Sequence, residues 1–357
     1  MSVVWSCNEW DPLEEVIVGR LESATFSSWN IINGHTVLPG EWDEITAAVG
    51  GAGVPYPKHM VEAAQRELDE FIHILVMEGV SVRRPDIVDY NQPYATPDWE
   101  MPHGFCAANP RDPFLVIADQ IIETPMADRG RYFESSAYRT LFKEYFQKGA
   151  RWSAAPKPQL RNELYKSEHR FPEPGEPMSY VLTESEPVFD AADFVRCGRD
   201  IFVQKSHVTN DFGIFWLQRH LGDEYRLHII ETRNPKAIHI DTTFMPLAPG
   251  KVLISPDYID VTKLPPILKS WEIFVAPEPF PIKNPVKAVS KWIAMNVLML
   301  DEERVVVEKS QEPMIKALKK WGFKPIPISF ESYYPFLGGF HCATLDVRRR
   351  GELQSYF

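Results

Sequence analysis

The sequence predicts an α/β protein built as a cyclic array of five units, each a pair of strands followed by a helix and a closing strand. Three observations lead there. Apolar runs of strand length recur in pairs, separated by turns carrying Gly, Asp or Asn. Each pair is followed by apolar residues at helical spacing and then by a further short apolar run. A last strand, after Cys342, is left to pair with the first strand near Val16 and close the ring. The units are unequal in length, and each is expected to lean on its neighbours.

The first unit opens at residues 13–19, where Leu13, Val16, Ile17 and Val18 run into Gly19. Residues 21–57, rich in Gly, Ser and Pro, read as a loop. A helix follows, with Met60, Ala64, Leu68, Phe71, Ile72 and Leu75 on one face, Gly79 as its stop and a strand at 80–84. The second unit pairs strands across 114–123. Its helix carries Tyr138, Leu141, Phe142, Tyr145 and Phe146 and ends near Gly149, before an extended piece at 151–155. The third has its strand pair at 194–203, a helix carrying Phe212, Phe215, Trp216 and Leu221, and a strand at 226–230. The fourth spans 245–254 with its turn at Pro249-Gly250, then a short helix from Pro266 and a strand at 273–275. The fifth pairs strands across 297–307, starts a helix at Glu312-Pro313 that buries Ile315 and Leu318, and closes at 325–329. Residues 156–182, also rich in Pro, Gly and charge, read with 21–57 as loops inserted over one face.

A chain of 357 residues with 44% hydrophobic content has material for a substantial core, organised as one domain over residues 1–357. The formal charge of -11 argues against nucleic acid or an anionic membrane surface as the main partner, since both reward a basic face. Arg348, Arg349 and Arg350 form the single basic triplet, read as a solvated or structurally paired run. No apolar run reaches roughly 18 residues, and the N-terminus has no basic and apolar leader, so a cytoplasmic protein is expected. Cys7, Cys106, Cys197 and Cys342 make no disulfide framework. Without CxxC, HExxH, GxGxxG or GxxxxGK[ST] spacings, neither a metal nor a cofactor is expected.

The chemistry centres on Leu337-Gly338-Gly339-Phe340-His341-Cys342. Two glycines allow close backbone approach, and a thiol at the mouth of a strand is where a nucleophile is presented. A small buried hydrophobe is the other reading of Cys342. Each unit also carries a polar residue a few positions before its strand pair: Asp112, Asp190, His239 with Asp241, and Ser290. Singly, each Asp reads equally as a turn residue or cap, and His239 as a structural histidine. If the array closes with pseudo-fivefold symmetry, these positions meet at its centre with Cys342. A thiol, an imidazole and three carboxylates then share one pocket, and a guanidinium or amine is its natural occupant.

Several of these segments form longer motifs. Asn8-Glu9-Trp10-Asp11-Pro12-Leu13, Phe189-Asp190-Ala191-Ala192-Asp193-Phe194, His239-Ile240-Asp241 and Gly339-Phe340-His341-Cys342-Ala343-Thr344-Leu345-Asp346-Val347-Arg348-Arg349 closely resemble those of the arginine-dependent amidinotransferases. The likeness spans nearly the whole chain and is weakest over 21–57 and 156–182. It implies the pentein fold, a five-bladed α/β propeller with pseudo-fivefold internal repeats, which agrees with the five units. It also implies L-arginine as amidino donor, an amine as acceptor, ornithine as product and a ping-pong course through an amidino-cysteine. By the resemblance Cys342 is the nucleophile, His239 the acid and base, and Asp190 the carboxylate orienting it. Asp112 and Asp241 hold the guanidinium, Ser290 lies near the substrate's amino-acid end, and relatives that are dimers imply a homodimer.

The resemblance breaks at two places. Where glycine amidinotransferase has an arginine for a substrate carboxylate, this chain has Tyr258 after Pro256-Asp257, and a phenol makes no bidentate charged contact. The glycine run before Phe340 is also one residue shorter. Both argue against glycine as the acceptor. Two other readings stay open: a guanidine hydrolase such as an arginine deiminase, and a non-catalytic ligand-binding propeller.

Overall fold

The computed structural model describes residues 2–37, 40–173, 175–283 and 289–357; residues 38, 39 and 174, within the two expected loops, lie outside these. The five units are five three-stranded sheets, each an antiparallel pair extended on one side by a parallel strand. In the second, Phe114–Ile117 pairs with Gln120–Glu123, and Arg151–Ala154 adds in parallel. Phe194–Cys197, Asp200–Val203 and Arg226–Ile229 repeat the arrangement, as do Phe244–Ala248, Lys251–Ile254 and Glu272–Val275. The fifth comprises Leu298–Met299, Arg304–Glu308 and Lys324–Ile328. Leu13–Val18 and Ser81–Arg83 form the first only together with the last strand, Thr344–Arg349, in which Asp346 lies opposite Val16. The two ends of the chain thus close the ring as expected.

Burial explains the apolar runs. The paired strands Phe114–Ile117 and Phe194–Cys197 are buried at every position, so they read as continuous rather than alternating. The parallel outer strands Arg151–Ala154, Arg226–Ile229 and Glu272–Val275 are exposed at both ends and half-buried between, as outer-edge strands are. Helices pack between sheets: Lys58–Met77 buries Met60, Ala64, Leu68, Phe71 and Leu75, one stripe at helical spacing, while Ile72 is half-buried.

The structure corrects several expectations. Residues 21–57 are not a loop throughout, because they contain the helices Ile31–Thr36 and Glu41–Val49. Asn30 caps the first by accepting from the Asn33 N–H, and Glu41, Asp43 and Glu44 stand in the first turn of the second, where acidic side chains suit the helix dipole. Residues 160–182 pack Leu160, Leu164, Tyr165, Val181 and Leu182 with Ile32 and Met101 into a satellite cluster that Ile238 joins. In the helix Asp211–Leu221 the buried residues are Gly213, Ile214 and Leu217, whereas Phe212 and Phe215 face outward. A Cβ on Gly213 would overlap the Val188 carbonyl, so that side makes the close approach and turns both phenylalanines away. Phe146 is likewise exposed, since Leu141, Phe142 and Tyr145 fill the inward stripe of Arg139–Gln147. In Glu312–Lys320, Met314 and Leu318 are buried and Ile315 only half-buried. Among the described residues no helix is long and apolar enough to cross a membrane.

Candidate active site

Every unit opens with a short turn immediately before its strand pair, and the polar residues singled out above sit on these turns. Asp190 is the N-cap of the 3-10 turn Ala191–Asp193, His239 that of Ile240–Thr242 and Ser290 that of Lys291–Met295. Asp112 lies in the turn before Phe114 and Cys342 in the turn before Thr344. His239 has φ +62, which is uncommon outside glycine and costs on the order of 1–3 kcal/mol, to be met by its surroundings. Gly338 and Gly339 are required by crowding. A Cβ on the first would overlap the Asn109 carboxamide and come within 2.8 Å of Cys342 Cβ, and one on the second would lie 2.7 Å from Asn296 Oδ1.

The structure brings Cys342, His239, Asp190, Asp112 and Asp241 together. His239 Nε2 lies 3.1 Å from Asp190 Oδ2, and its Nδ1 lies 3.6 Å from Asp112 Oδ1. Cys342 Sγ donates to Asp241 Oδ2 at 3.3 Å and accepts from Asn296 Nδ2 at 3.1 Å. All five residues are buried. Arg131 bridges the acids: its Nη2 meets Asp112 Oδ2 at 2.9 Å, its Nε meets Glu134 Oε2 at 2.6 Å, and its Nη1 lies 3.9 Å from Asp190 Oδ2. One oxygen of each aspartate, Oδ1 of Asp112, Asp190 and Asp241, is buried without a hydrogen-bond partner.

Electrostatics follow from this crowding. Burial alone would lower the pKa of His239, but the Asp112 charge and the Asp190 hydrogen bond outweigh it and hold the imidazole protonated well above its usual range. Burial, then the Asp241 carboxylate, push the Cys342 thiol up to about 12. Burial raises Asp112 as well, against the pull of His239 and Arg131. For Asp241, burial is outweighed by the hydrogen bond and charge of His341, and its pKa falls. The thiol is therefore protonated at neutral pH. Asp112, His239 and Cys342 place ligand atoms within 4.8 Å of one another, a donor set that could accept a divalent ion, although Arg131 and the imidazolium already supply positive charge there.

Beneath the site lies a second buried network. His341 reaches Asp241 through Nδ1 at 2.9 Å and Glu9 through Nε2 at 3.3 Å. Glu9 receives Arg196 Nε and Nη2 at 2.8 Å each, and Arg196 also meets Asp346 at 2.9 Å. Arg111 joins Asp346 at 2.5 Å and donates to the His341 carbonyl at 2.8 Å. Arg349 meets Asp346 at 2.6 Å, so the basic triplet contributes a structural pair. Segments from the beginning, middle and end of the chain are joined through it directly to the turn that carries Cys342.

No family model matches the chain. It is 49% identical over 356 residues to an L-arginine:L-lysine amidinotransferase of Pseudomonas savastanoi pv. phaseolicola, covering 99% of this chain and 97% of that protein. The chain belongs to the arginine-dependent amidinotransferase family. Among solved structures, an amidinotransferase of saxitoxin biosynthesis from Microseira wollei superposes with a TM-score of 0.97 at 63% identity, covering 99% and 100% of the two chains. An inosamine-phosphate amidinotransferase of Streptomyces griseus superposes at 0.87 with 37% identity, covering 100% and 99%. DDAH from Pseudomonas aeruginosa, 14% identical with a TM-score of 0.57 over 93% of this chain and 98% of its own, shares the fold. The fold is the pentein fold, and the protein is an amidinotransferase.

In this amidinotransferase the other two expected site residues meet each other: Tyr258 Oη and Ser290 Oγ are 3.3 Å apart. Among the described residues, no hydrogen bond or ion pair joins them to Cys342, His239 or the three aspartates. Sequence reasoning passed over Arg131, Glu134, Asn296 and His341. His341 stood inside the quoted motif beside Cys342 and was the one with a local signal. Arg131 and Asn296 reach site residues distant in sequence, and Glu134 acts on the site through Arg131, three positions before it, so nothing in the sequence ties them to the site.

Proposed function

We propose that Cys342 takes the amidino group of L-arginine and passes it to an amine acceptor, with ornithine leaving between the two steps. The observation that carries this is the trio of buried carboxylate oxygens without partners beside a buried thiol. A guanidinium is planar and carries five N–H donors, which suit carboxylate oxygens left without hydrogen-bond partners. Asp112 and Asp241 would receive it, and Asp190 would keep His239 oriented. Tyr258 and Ser290, a neutral hydroxyl pair, suit hydrogen bonding at the amino-acid end rather than charged capture of a carboxylate, which favours an acceptor other than glycine.

The arriving cation lowers the cost of ionising the thiol, Sγ bonds to the guanidinium carbon, and the bond from that carbon to the arginine chain breaks. The electron pair goes to the leaving nitrogen. The thiol proton is given up as the cation arrives, and the His239 imidazolium gives its own proton to that nitrogen, so a neutral amine departs, the positive charge stays on the S-linked amidinium and His239 is left neutral. The acceptor amine then attacks the same carbon and gives a proton to the neutral His239, and sulfur leaves as thiolate and takes back a proton, which restores the resting thiol and imidazolium. The closure of Thr344–Arg349 onto Leu13–Val18 supports reading residues 1–357 as one domain. A bacterial relative supports a cytoplasmic location.

Incubation with arginine and a panel of primary amines tests the reading. Ornithine should form in amounts equal to a new guanidino product, whereas citrulline as the main product would replace transfer with hydrolysis. A second expectation concerns pH. Because the thiol titrates near 12, alkylation of Cys342 by iodoacetamide should rise about tenfold per pH unit from 7 to 9 without a plateau, following the thiolate fraction. Bound guanidine should speed it at fixed pH. A plateau below pH 8 in the free protein would mean that the thiol is already ionised.

A further inference from the structure

We infer that Asn296 is a catalytic residue of the amidino transfer, holding the sulfur of Cys342 through its side-chain N–H while its carbonyl oxygen locks the backbone that presents it. The inference rests on Cys342 being the nucleophile proposed above. The orientation of the carboxamide is settled by its neighbours: Oδ1 accepts the backbone N–H of His341 at 2.9 Å and that of Cys342 at 3.1 Å, two donors that only an oxygen can face. Nδ2 is therefore the atom 3.1 Å from Sγ, and it donates.

The residue is held where it stands. Asn296 is buried and follows the turn Lys291–Met295 with φ -75 and ψ 58, and the Val297 N–H bonds the Met295 carbonyl at 2.8 Å, which is an inverse γ-turn centred on Asn296. Gly339 closes the other side, since a Cβ there would lie 2.7 Å from Oδ1 and 2.9 Å from the Asn296 Cβ. Little freedom remains for the amide to leave the sulfur.

The contact matters most when sulfur is negative. The thiol has a donor to accept from, Asn296, and an acceptor to give to, Asp241. Once the proton leaves, the Asp241 contact turns repulsive and the Asn296 contact becomes a charge-assisted hydrogen bond, roughly twice as strong as a neutral one. Sulfur carries that charge as it attacks the donor and again as it is expelled by the acceptor, so one N–H serves both half-reactions.

Asn296→Asp isolates the donor, because it keeps an oxygen for the two backbone N–H groups and sets an acceptor against the sulfur. The pH profile of Cys342 alkylation should move up by about one unit or more, and single-turnover ornithine release should fall about 100-fold, the scale of losing one preorganised donor. Arginine binding, measured in the Cys342→Ser background, should change less than threefold. An unshifted profile, or single turnover within threefold of wild type, would overturn the inference. If Cys342→Ser itself retains turnover, the nucleophile assignment fails instead, and the alkylation profile still reads the amide contact separately. If Asn296→Asp does not fold, the side-chain amide protons of Asn296 in 15N-asparagine-labelled wild-type protein report directly. They should shift when Cys342 is blocked with methyl methanethiosulfonate, and unmoved resonances would overturn the contact.

Discussion

Replacing His239 by Asn is expected to lower kcat by about 10²- to 10⁴-fold, the range for losing a positioned general acid and base. Asn is the appropriate substitution because position 239 sits at φ +62, which Asn tolerates better than most residues. It can still bond a carboxylate, but it cannot carry a proton. The leaving nitrogen must gain a proton and the acceptor amine must lose one, so both half-reactions should slow. Arginine binding should change far less, since the guanidinium is assigned to Asp112 and Asp241. Single-turnover ornithine release and equilibrium binding separate the two effects. A variant within tenfold of wild-type kcat would remove His239 from the proton path.

The largest expected effect on stability is at Arg196, far from any surface. Arg196→Met should cost about 3–5 kcal/mol, because Glu9 and Asp346 would lose their shared partner while remaining buried. The urea midpoint is the measurement, with the m-value checked for constancy. Arg151→Gln, whose pair with Asp119 is mostly exposed, should leave the midpoint within error. The sign of the pH dependence follows from the same network. Burial would raise Glu9, but Arg196 outweighs it and holds the carboxyl well below its usual range; for Asp346, Arg111, Arg349 and Arg196 do the same. Their contribution is thus complete above the unfolded carboxylate pKa and is lost as pH falls through the depressed folded values, so Arg196→Met should also unfold at a higher pH on acidification. An unchanged midpoint would mean that the two acids are neutralised by other partners.

The strand pairs could be read from sequence because most positions of the paired strands are buried, and they stand out as apolar runs between turns. Closure by the last strand could be read because one strand at each end lacked a partner. Helix faces were harder. Phe212 and Phe215 are more hydrophobic than the Gly213 side that packs, and only the approach of Val188 decides which way the helix turns. The helices Ile31–Thr36 and Glu41–Val49 were hidden by their shortness and by the glycines in and around them. In the candidate site, the five residues that converge all stand on the short turns before the strand pairs, which made them visible. Arg196 and Glu9, 187 residues apart, and Asn296 and Cys342, 46 apart, share no period, so their contacts belong to tertiary structure alone.

The most direct test of the amidino-cysteine is intact mass after mixing the protein with L-arginine alone. The wild-type chain should gain one amidino group, localised to Cys342 by peptide mapping, with one equivalent of ornithine released, and Cys342→Ala should gain nothing. An adduct that persists in Cys342→Ala, or turnover of arginine without any trapped adduct, would contradict the assignment.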